Sequence, residues 1–568
     1  MVASPVLKLV PKLAEPGPAR AKPKLGLRAW MQRVLVECDR TAAGFDVDAV
    51  HDLRVSLRRC RSLADGLMAI DPESSWKDMK KAGKKLFQAL GELRDMQVMQ
   101  EWIEKFGDAA GDARSHVSTG NQPDLAGDYP FGDWVALKLL THARVREAAC
   151  KQHAFKDLEQ FDRKQWQQWT RTLPRRAARV RPGSVVYLHL ALEKWTAAYD
   201  LHQHALRTRS QAGWHQLRIG IKRFRYTVEN FLPRQHALWG DDLKQLQDLL
   251  GEVHDLDVLW ASAVEVQAFP DVESRERWRL KLNAERARRI ARYREKMVGR
   301  QSLWRVWRAE LPSGPQLRAA AMSRLKLWAS SLDPEFLHSE RVARLALILY
   351  DGLKDAGLMT ESARSGNGKL EPDWRAVLQA AALMHDVGKA RGADNHQKSS
   401  YRMIRGLARP LGWSARELEM AAVVARYHRG ALPHPRGKTL QLLELPDRPI
   451  AVRLAAVLRL ANALDTSHGR HANESASRLE VGVHDQFVLV RVAGYSALDS
   501  SAEGVAGARH LLETVLRRPV VVRALRASAG GRKSGQEINE SRARRSKPEG
   551  LAVLRRKQVL RFAQDKNS

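Results

Sequence analysis

A chain of 568 residues is long enough for two or more domains, each burying its own core, which excludes a single small fold. Its 96 Lys and Arg against 64 Asp and Glu leave a formal net charge of +32, and such a field attracts polyanions: nucleic acid, polyphosphate or acidic lipid. No apolar run reaches the roughly 18 residues of a membrane span, and the Pro-broken first residues lack a signal-peptide core, so a cytoplasmic protein without a membrane partner is expected. Cys38, Cys60 and Cys150 are too few and too scattered for a disulfide framework or a zinc ribbon.

Residues 1–24, rich in Pro, Lys and Ala and without periodicity, read as a flexible basic arm. From 25 to 310, apolar residues at three- and four-residue spacing predict an all-α domain. Within it HDLRVSLRRCRS from His51 recurs as HQLRIGIKRFRY from His215. Each copy is followed by a second shared piece, LGELRDMQV from Leu90 and LGEVHDLDV from Leu250, so the repeated unit is a long helical hairpin. On a helix His51, Arg54, Arg58 and Arg61 fall within an arc of about 80°, as do His215, Arg218, Lys222 and Arg225. Leu53, Leu57 and Cys60, with Leu217, Ile221 and Phe224 in the second copy, lie opposite and face the core. The stripes lack acidic i,i+4 partners, so their charges call for an external anion. Arginine's planar fork holds two phosphate oxygens at once, while Lys222 acts as a point charge. Asp95 and Asp255 match across the repeat and serve either to orient basic side chains or to cap helix contacts. Trp166, Trp195, Trp214 and Trp239 sit at helical apolar positions and read as core.

LPSGPQ, from Leu311, breaks the pattern and marks residues 311–324 as a joint. A second helical domain is expected over 325–470. FLHSERVARLALILYDGL sets His338 in line with Val342, Leu345 and Leu349. AALMHDVGKA ends an Ala- and Leu-rich helix in His385 and Asp386, where Gly388 releases the backbone and brings Lys389 near. RLAAVLRLANALDTSH ends a third helix in Asp465. Imidazole and carboxylate together suit a divalent ion such as Mn²⁺, Fe²⁺ or Mg²⁺, which acidifies water and polarises a phosphoryl oxygen. SGNGKL, around Gly366, lacks the spacing of a P-loop. Over 471–526, RLEVGV and QFVLVRV alternate as a hairpin, VAGARHLLETVL is helical and PVVVRAL is a last strand, together a small α+β appendage. Residues 527–568 are polar and basic and read as disordered.

The duplicated His-led basic helix resembles the CHAD family, an all-helical fold of two similar four-helix bundles around a basic pore or groove that binds inorganic polyphosphate. The resemblance spans about residues 25–310. It implies that His51, Arg54, Arg58, Arg61, His215, Arg218, Lys222, Arg225 and Tyr226 contact the polymer. The order His338, His385-Asp386, Asp465 resembles the HD phosphohydrolase superfamily. More narrowly, NHQKSSYRMI from Asn395, ARYHRG from Ala425 and LRLANALD from Leu458 resemble the C-terminal HD-like domain of the exopolyphosphatase and guanosine pentaphosphatase family, over about 325–525. That likeness implies a metal held by His338, His385, Asp386 and Asp465. It further implies catalytic roles for Lys389, His396 and His428, the histidines serving a second metal or the phosphate, with Arg426 and Arg429 neutralising substrate charge.

Two departures stand out. Ser399 occupies a position where that family usually has another histidine, and nothing resembles its N-terminal actin-like ATPase-fold domain. The expected protein is mainly α, a duplicated helical-bundle CHAD domain followed by an all-helical HD domain and the appendage. It binds polyphosphate and carries a metal-dependent phosphohydrolase site, acting in the cytoplasm or at polyphosphate granules. The alternative is a non-catalytic polyphosphate-targeting protein with a regulatory HD-like module. Nucleic acid is expected only as a nonspecific partner, for no helix-turn-helix, zinc finger or aromatic-basic strand motif is present.

Overall fold

The computed structural model describes residues 26–111, 134–359, 372–465, 478–498 and 501–525. The expected basic arm, the SGNGKL segment and the basic tail lie outside the described residues. The chain is mainly α. Its first half runs through α1 (Leu27–Gly44), α2 (Val47–Met68), α3 (Ser75–Ala82), α4 (Lys84–Gly111), α5 (Trp134–Glu159) and α6 (Arg163–Ala177). The repeat of that half follows as α7 (Val185–Thr208), α8 (Gln211–Phe231), α9 (Pro233–Glu265), α10 (Val272–Met297) and α11 (Leu303–Ala309).

The two basic helices, α2 and α8, start at side-chain caps. Asp46 accepts from the Ala49 amide at 2.8 Å and Ser210 from the Gly213 amide at 3.0 Å, each worth about 1 kcal/mol. Their apolar stripes, Leu53, Leu57 and Cys60 and then Leu217, Ile221 and Phe224, are buried in one core. Trp166, Trp214 and Trp239 are buried with them, and Trp195 packs half-buried at the edge. The helices also meet each other. A Cβ on Gly66 would stand 2.2 Å from the Phe231 ring, so only glycine lets α8 come this close. Asn230 donates to Ser62 at 3.0 Å and Arg59 pairs with Glu229 at 2.6 Å, which seals the crossing. Both cationic stripes are thereby turned to one side.

The expected joint is shorter than its composition suggests, for only Glu310–Ser313 separates α11 from α12 (Gly314–Leu332). Pro315, read as a breaker, sits in the first turn of α12, where its fixed φ starts a helix and its missing N–H costs nothing. α12 docks on the first module: Arg324 donates to the Ala69 carbonyl at 3.0 Å and pairs with Glu193 at 2.5 Å. His189, buried, bonds the Leu411 carbonyl at 2.9 Å through Nε2.

Beyond it lie α13 (Phe336–Asp355), α14 (Trp374–Met384), a 3₁₀ turn (Val387–Arg391), α15 (His396–Arg405), α16 (Ala415–Arg426), α17 (Lys438–Gln441) and α18 (Asp447–Leu464). Ala380, Ala381 and Ala382 of α14, Ala421, Ala422 and Ala425 of α16, and Ala455, Ala456 and Ala461 of α18 are fully buried, so these helices approach closely around one core. The appendage is a sheet of order β1-β2-β3: β1 (Leu479–Val483) pairs antiparallel with β2 (Val488–Val492), and β2 pairs parallel with β3 (Val520–Ala524). α19 (Ser501–Leu516) makes the crossover and packs on α18.

Candidate sites: a cationic cavity and a buried histidine–carboxylate cluster

A cavity of about 550 Å³ opens where α2, α4, α8 and α9 converge. α2 brings His51, Arg54 and Arg58 to it, and α8 brings Arg218 and Lys222. The Nε atoms of Arg58 and Arg218 and the Tyr226 hydroxyl are buried without a hydrogen-bond partner, a costly arrangement that an incoming anion would relieve. Burial, then the charges of Arg218, Arg58 and Arg54, lowers the Lys222 ammonium to about 8. Such mutual repulsion marks a site shaped for negative charge.

Four expected contacts do not line the cavity: Tyr226, Arg61, Arg225 and His215. Arg61 donates to the Lys80 carbonyl at 2.6 Å and lies 5.1 Å from the Phe87 ring centre. Arg225 faces Glu229 at 3.9 Å, an i,i+4 acid that the reading of unpartnered stripes overlooked. His215 is not at the wall; its Nδ1 stands 3.2 Å from Nδ1 of His254, which is. Arg94 also lines the cavity and was not foreseen, although it aligns with His254 across the repeat. The open question of Asp95 and Asp255 resolves to a position: both line the cavity. Asp95 lies 3.9 Å from Arg54. Burial, against the pull of Arg218, pushes Asp255 up to about 6.

The second cluster is built from helix ends. His385 closes α14, Asp386 and Lys389 follow in the 3₁₀ turn, His396 opens α15 and His428 follows α16. Each of three imidazoles binds a backbone carbonyl through Nδ1: His385 to Ala382 at 2.7 Å, His396 to Ala393 at 2.8 Å and His428 to Ala425 at 2.8 Å. A carbonyl only accepts, so the proton sits on Nδ1, and Nε2 of each neutral ring carries a lone pair. Those three Nε2 atoms surround Oδ1 of Asp386 at 3.5, 3.1 and 3.5 Å in chain order. Oδ1 of Asp386 and Nε2 of His385 are buried and have no hydrogen-bond partner. Lone pairs facing lone pairs are repulsive unless a cation stands between them, and this donor set fits a divalent metal. Burial lowers His385 and His428, which keeps both rings neutral and ligand-ready.

Asp386 is also held from outside. Lys389 bonds its Oδ2 at 2.7 Å and Glu335 at 2.7 Å. Burial works against charge on the Asp386 carboxyl, and the hydrogen bond from Lys389 pulls its pKa down. His338, His385 and Asp386 form one group able to hold an ion, and Asp386, His396 and His428 form another. Asp465 belongs to neither. Its Oδ2 lies 2.6 Å from His338 Nδ1, and Arg341 donates to its Oδ1 at 2.9 Å. Burial works against charge on His338, but the Asp465 hydrogen bond raises its pKa. Arg341 carried no sequence signal, because its partner lies 124 residues away. Arg429 is exposed beside His428, while Arg426 is half-buried 5.6 Å from the Tyr427 ring centre. Ser399 is half-buried, and its neighbour Ser400 accepts from the Gly388 amide at 2.9 Å.

A mainly helical protein with a cationic cavity in one module and a metal-competent cluster in the next is thus defined by fold and chemistry. The chain carries a CHAD domain, matched by that family's model over residues 26–264, followed by a Ppx/GppA phosphatase domain III, matched over 318–499. The two matches support a polyphosphate-related protein. The chain is also 28% identical over 117 residues to a bifunctional uridylyltransferase/uridylyl-removing enzyme of Nitrobacter hamburgensis, a stretch covering 19% of this chain and 12% of that one. No described helix is long and apolar enough to cross a membrane.

Proposed function

We propose that the protein gathers inorganic polyphosphate in its cationic cavity and hydrolyses phosphoanhydride or phosphoester bonds at the histidine–carboxylate cluster of an HD-type module. The observation that carries the catalytic half is the set of Nε2 lone pairs turned onto a buried carboxylate oxygen that lacks a hydrogen-bond partner. His385, Asp386, His396 and His428, with His338 beside them, would hold Mn²⁺, Fe²⁺ or Mg²⁺. When bound, such an ion acidifies water and polarises a phosphoryl oxygen. Lys389 fixes the Asp386 carboxylate through its second oxygen, which is a positioning role. Arg429 is free to meet substrate charge at the surface. This reading puts the protein in the cytoplasm, at polyphosphate granules.

The test is metal content of the purified protein together with phosphate release from long polyphosphate, with and without added Mn²⁺, for wild type and Asp386→Ala. Bound metal and Mn²⁺-dependent release, both lost in the variant, are expected. Full metal content in Asp386→Ala would sink the site. A non-catalytic targeting protein is the second reading, favoured by the pairing of Asp465 with His338 and Arg341, which draws one expected ligand away. Metal binding without turnover would select it. The uridylyl-removing relative adds a nucleotidyl phosphodiester to the bonds worth assaying.

A further inference from the structure

The cavity of the first module contains features for which a bare phosphate chain has no use. Asp95 and Asp255, at matching positions of α4 and α9, both line it, and a carboxylate facing a phosphate repels it. Beyond them Val98, Met99 and Trp102 of α4, with Val258 and Leu259 of α9, provide an apolar wall. Helix direction separates this wall from the cations. Arg61 and Arg54 both lie over Phe87, but Arg61 reaches back to the Lys80 carbonyl while Arg54 reaches on to Asp95, so α2 and α4 run antiparallel. The guanidinium groups of Arg54 and Arg58 therefore stand level with α4 up to Asp95, and Trp102 lies about 10 Å further along the helix. The repeat places Val258 and Leu259 beyond Asp255 in the same way. Asp248 and Glu252 line the cavity as well, and Arg289 lies 5.2 Å and Lys105 5.4 Å from the Trp102 ring centre, so the wall open to a ligand runs along Val98, Met99, Val258 and Leu259 and the free part of Trp102.

We infer that the cavity takes a nucleoside 5′-polyphosphate, its phosphates on Arg54, Arg58, Arg218 and Lys222 and its base against the apolar wall, donating amino hydrogens to Asp255 and Asp95. This rests on the reading of the cavity as a phosphate-chain site. The space of about 550 Å³ is within the ~300–1,000 Å³ usual for small-molecule sites. Asp255 already accepts a hydrogen bond from the Trp102 side chain, which aims the carboxylate and leaves acceptor capacity to spare. A carboxylate accepts and cannot donate, so a base edge rich in N–H satisfies it where a phosphate oxygen cannot.

Equilibrium dialysis of the full chain in EDTA, which removes metal from the other module, compares ATP, GTP and tripolyphosphate. At least one nucleotide should bind about tenfold or more tighter than tripolyphosphate, the equivalent of one to two hydrogen bonds plus apolar contact. Asp95→Asn with Asp255→Asn should weaken the nucleotide and strengthen tripolyphosphate, and Arg58→Ala with Lys222→Ala should abolish both. Equal wild-type affinities would overturn the inference and leave the phosphate-chain site standing. So would Asn variants that bind nucleotide and tripolyphosphate more tightly alike, since the carboxylates would then be mere counter-ions. Nucleotide binding indifferent to Arg58 and Lys222 would place it elsewhere and overturn the inference as well. No binding of any of the three would overturn both readings.

Discussion

Lys222 is a residue at which binding and stability pull in opposite directions. Burial and three neighbouring guanidinium groups lower its ammonium from 10.5 to about 8 in the ligand-free fold. A depression of about 2.5 units at 1.36 kcal/mol per unit is about 3 kcal/mol, which screening at the open mouth brings nearer 2. Lys222→Met keeps the stem and removes the charge, so the ligand-free protein should gain about 2 kcal/mol at pH 7, read as a higher urea midpoint for the first module. The folded pKa lies below the unfolded one, so the cost of the charge is complete below pH 8 and fades as pH rises from 8 to 10.5. The gain from Lys222→Met should therefore be full at pH 7 and largely gone at pH 10. The same variant should bind tripolyphosphate at least about tenfold more weakly and lose the stabilisation that ligand confers. A variant less stable than wild type at pH 7, or a gain undiminished at pH 10, would refute the assignment of the cost to charge.

Other consequences follow from packing. A Cβ on Gly388 would lie 2.2 Å from the His396 carbonyl and 2.5 Å from the Ser400 amide, so Gly388→Ala must push the 3₁₀ turn off α15. It should cost about 2 kcal/mol or more and strip the metal; a variant with normal metal content contradicts the site as drawn. Arg324→Ala leaves the Ala69 carbonyl and Glu193 without their partner, which should lower the melting temperature through a loss of about 1–3 kcal/mol, and an unchanged melt would show the docking to be ornamental. Arg58→Ala with Lys222→Ala should raise the apparent KM for long polyphosphate and leave that for a small phosphate ester unchanged, because only the polymer is concentrated by the first module. Equal shifts on both substrates would refute capture of the polymer by the first module.

What the sequence disclosed was local. The stripes of α2 and α8 and their apolar backs depend on helical periodicity and on a repeat, so both were legible. The fates of Arg61 and Arg225 were not, because Lys80 lies on another helix and Glu229 stands one turn beyond the matched segment. LPSGPQ reads as the start of a joint because Pro and Gly punctuate connections, yet the same pair also opens helices, and packing of α12 against α7 and α14 decides between them. Three histidines and Asp386 were found by order and resemblance. Their tautomers were hidden, since each depends on a carbonyl three residues earlier becoming available at a helix end. The Arg341–Asp465 pair joins residues 124 apart in the chain and has no periodicity to betray it.

The two modules pose the same electrostatic problem with opposite signs. The cavity buries the Lys222 ammonium among three guanidinium groups that repel it, and the cluster crowds lone pairs that lack a cation, so each is strained until its partner arrives. Between them runs α12. Its Arg324 grips the Ala69 carbonyl just past the end of α2, while its other contacts reach α14 and the turn that carries Lys389. A helix docked on both sides is not a flexible tether, whose reach would set local concentration by length. Under the proposed function the distance from cavity to cluster is fixed. A polyphosphate must then exceed a definite length before one end can occupy the cavity while the other meets Asp386. Chains below that length gain nothing from the first module, and those above it gain nearly all of it at once.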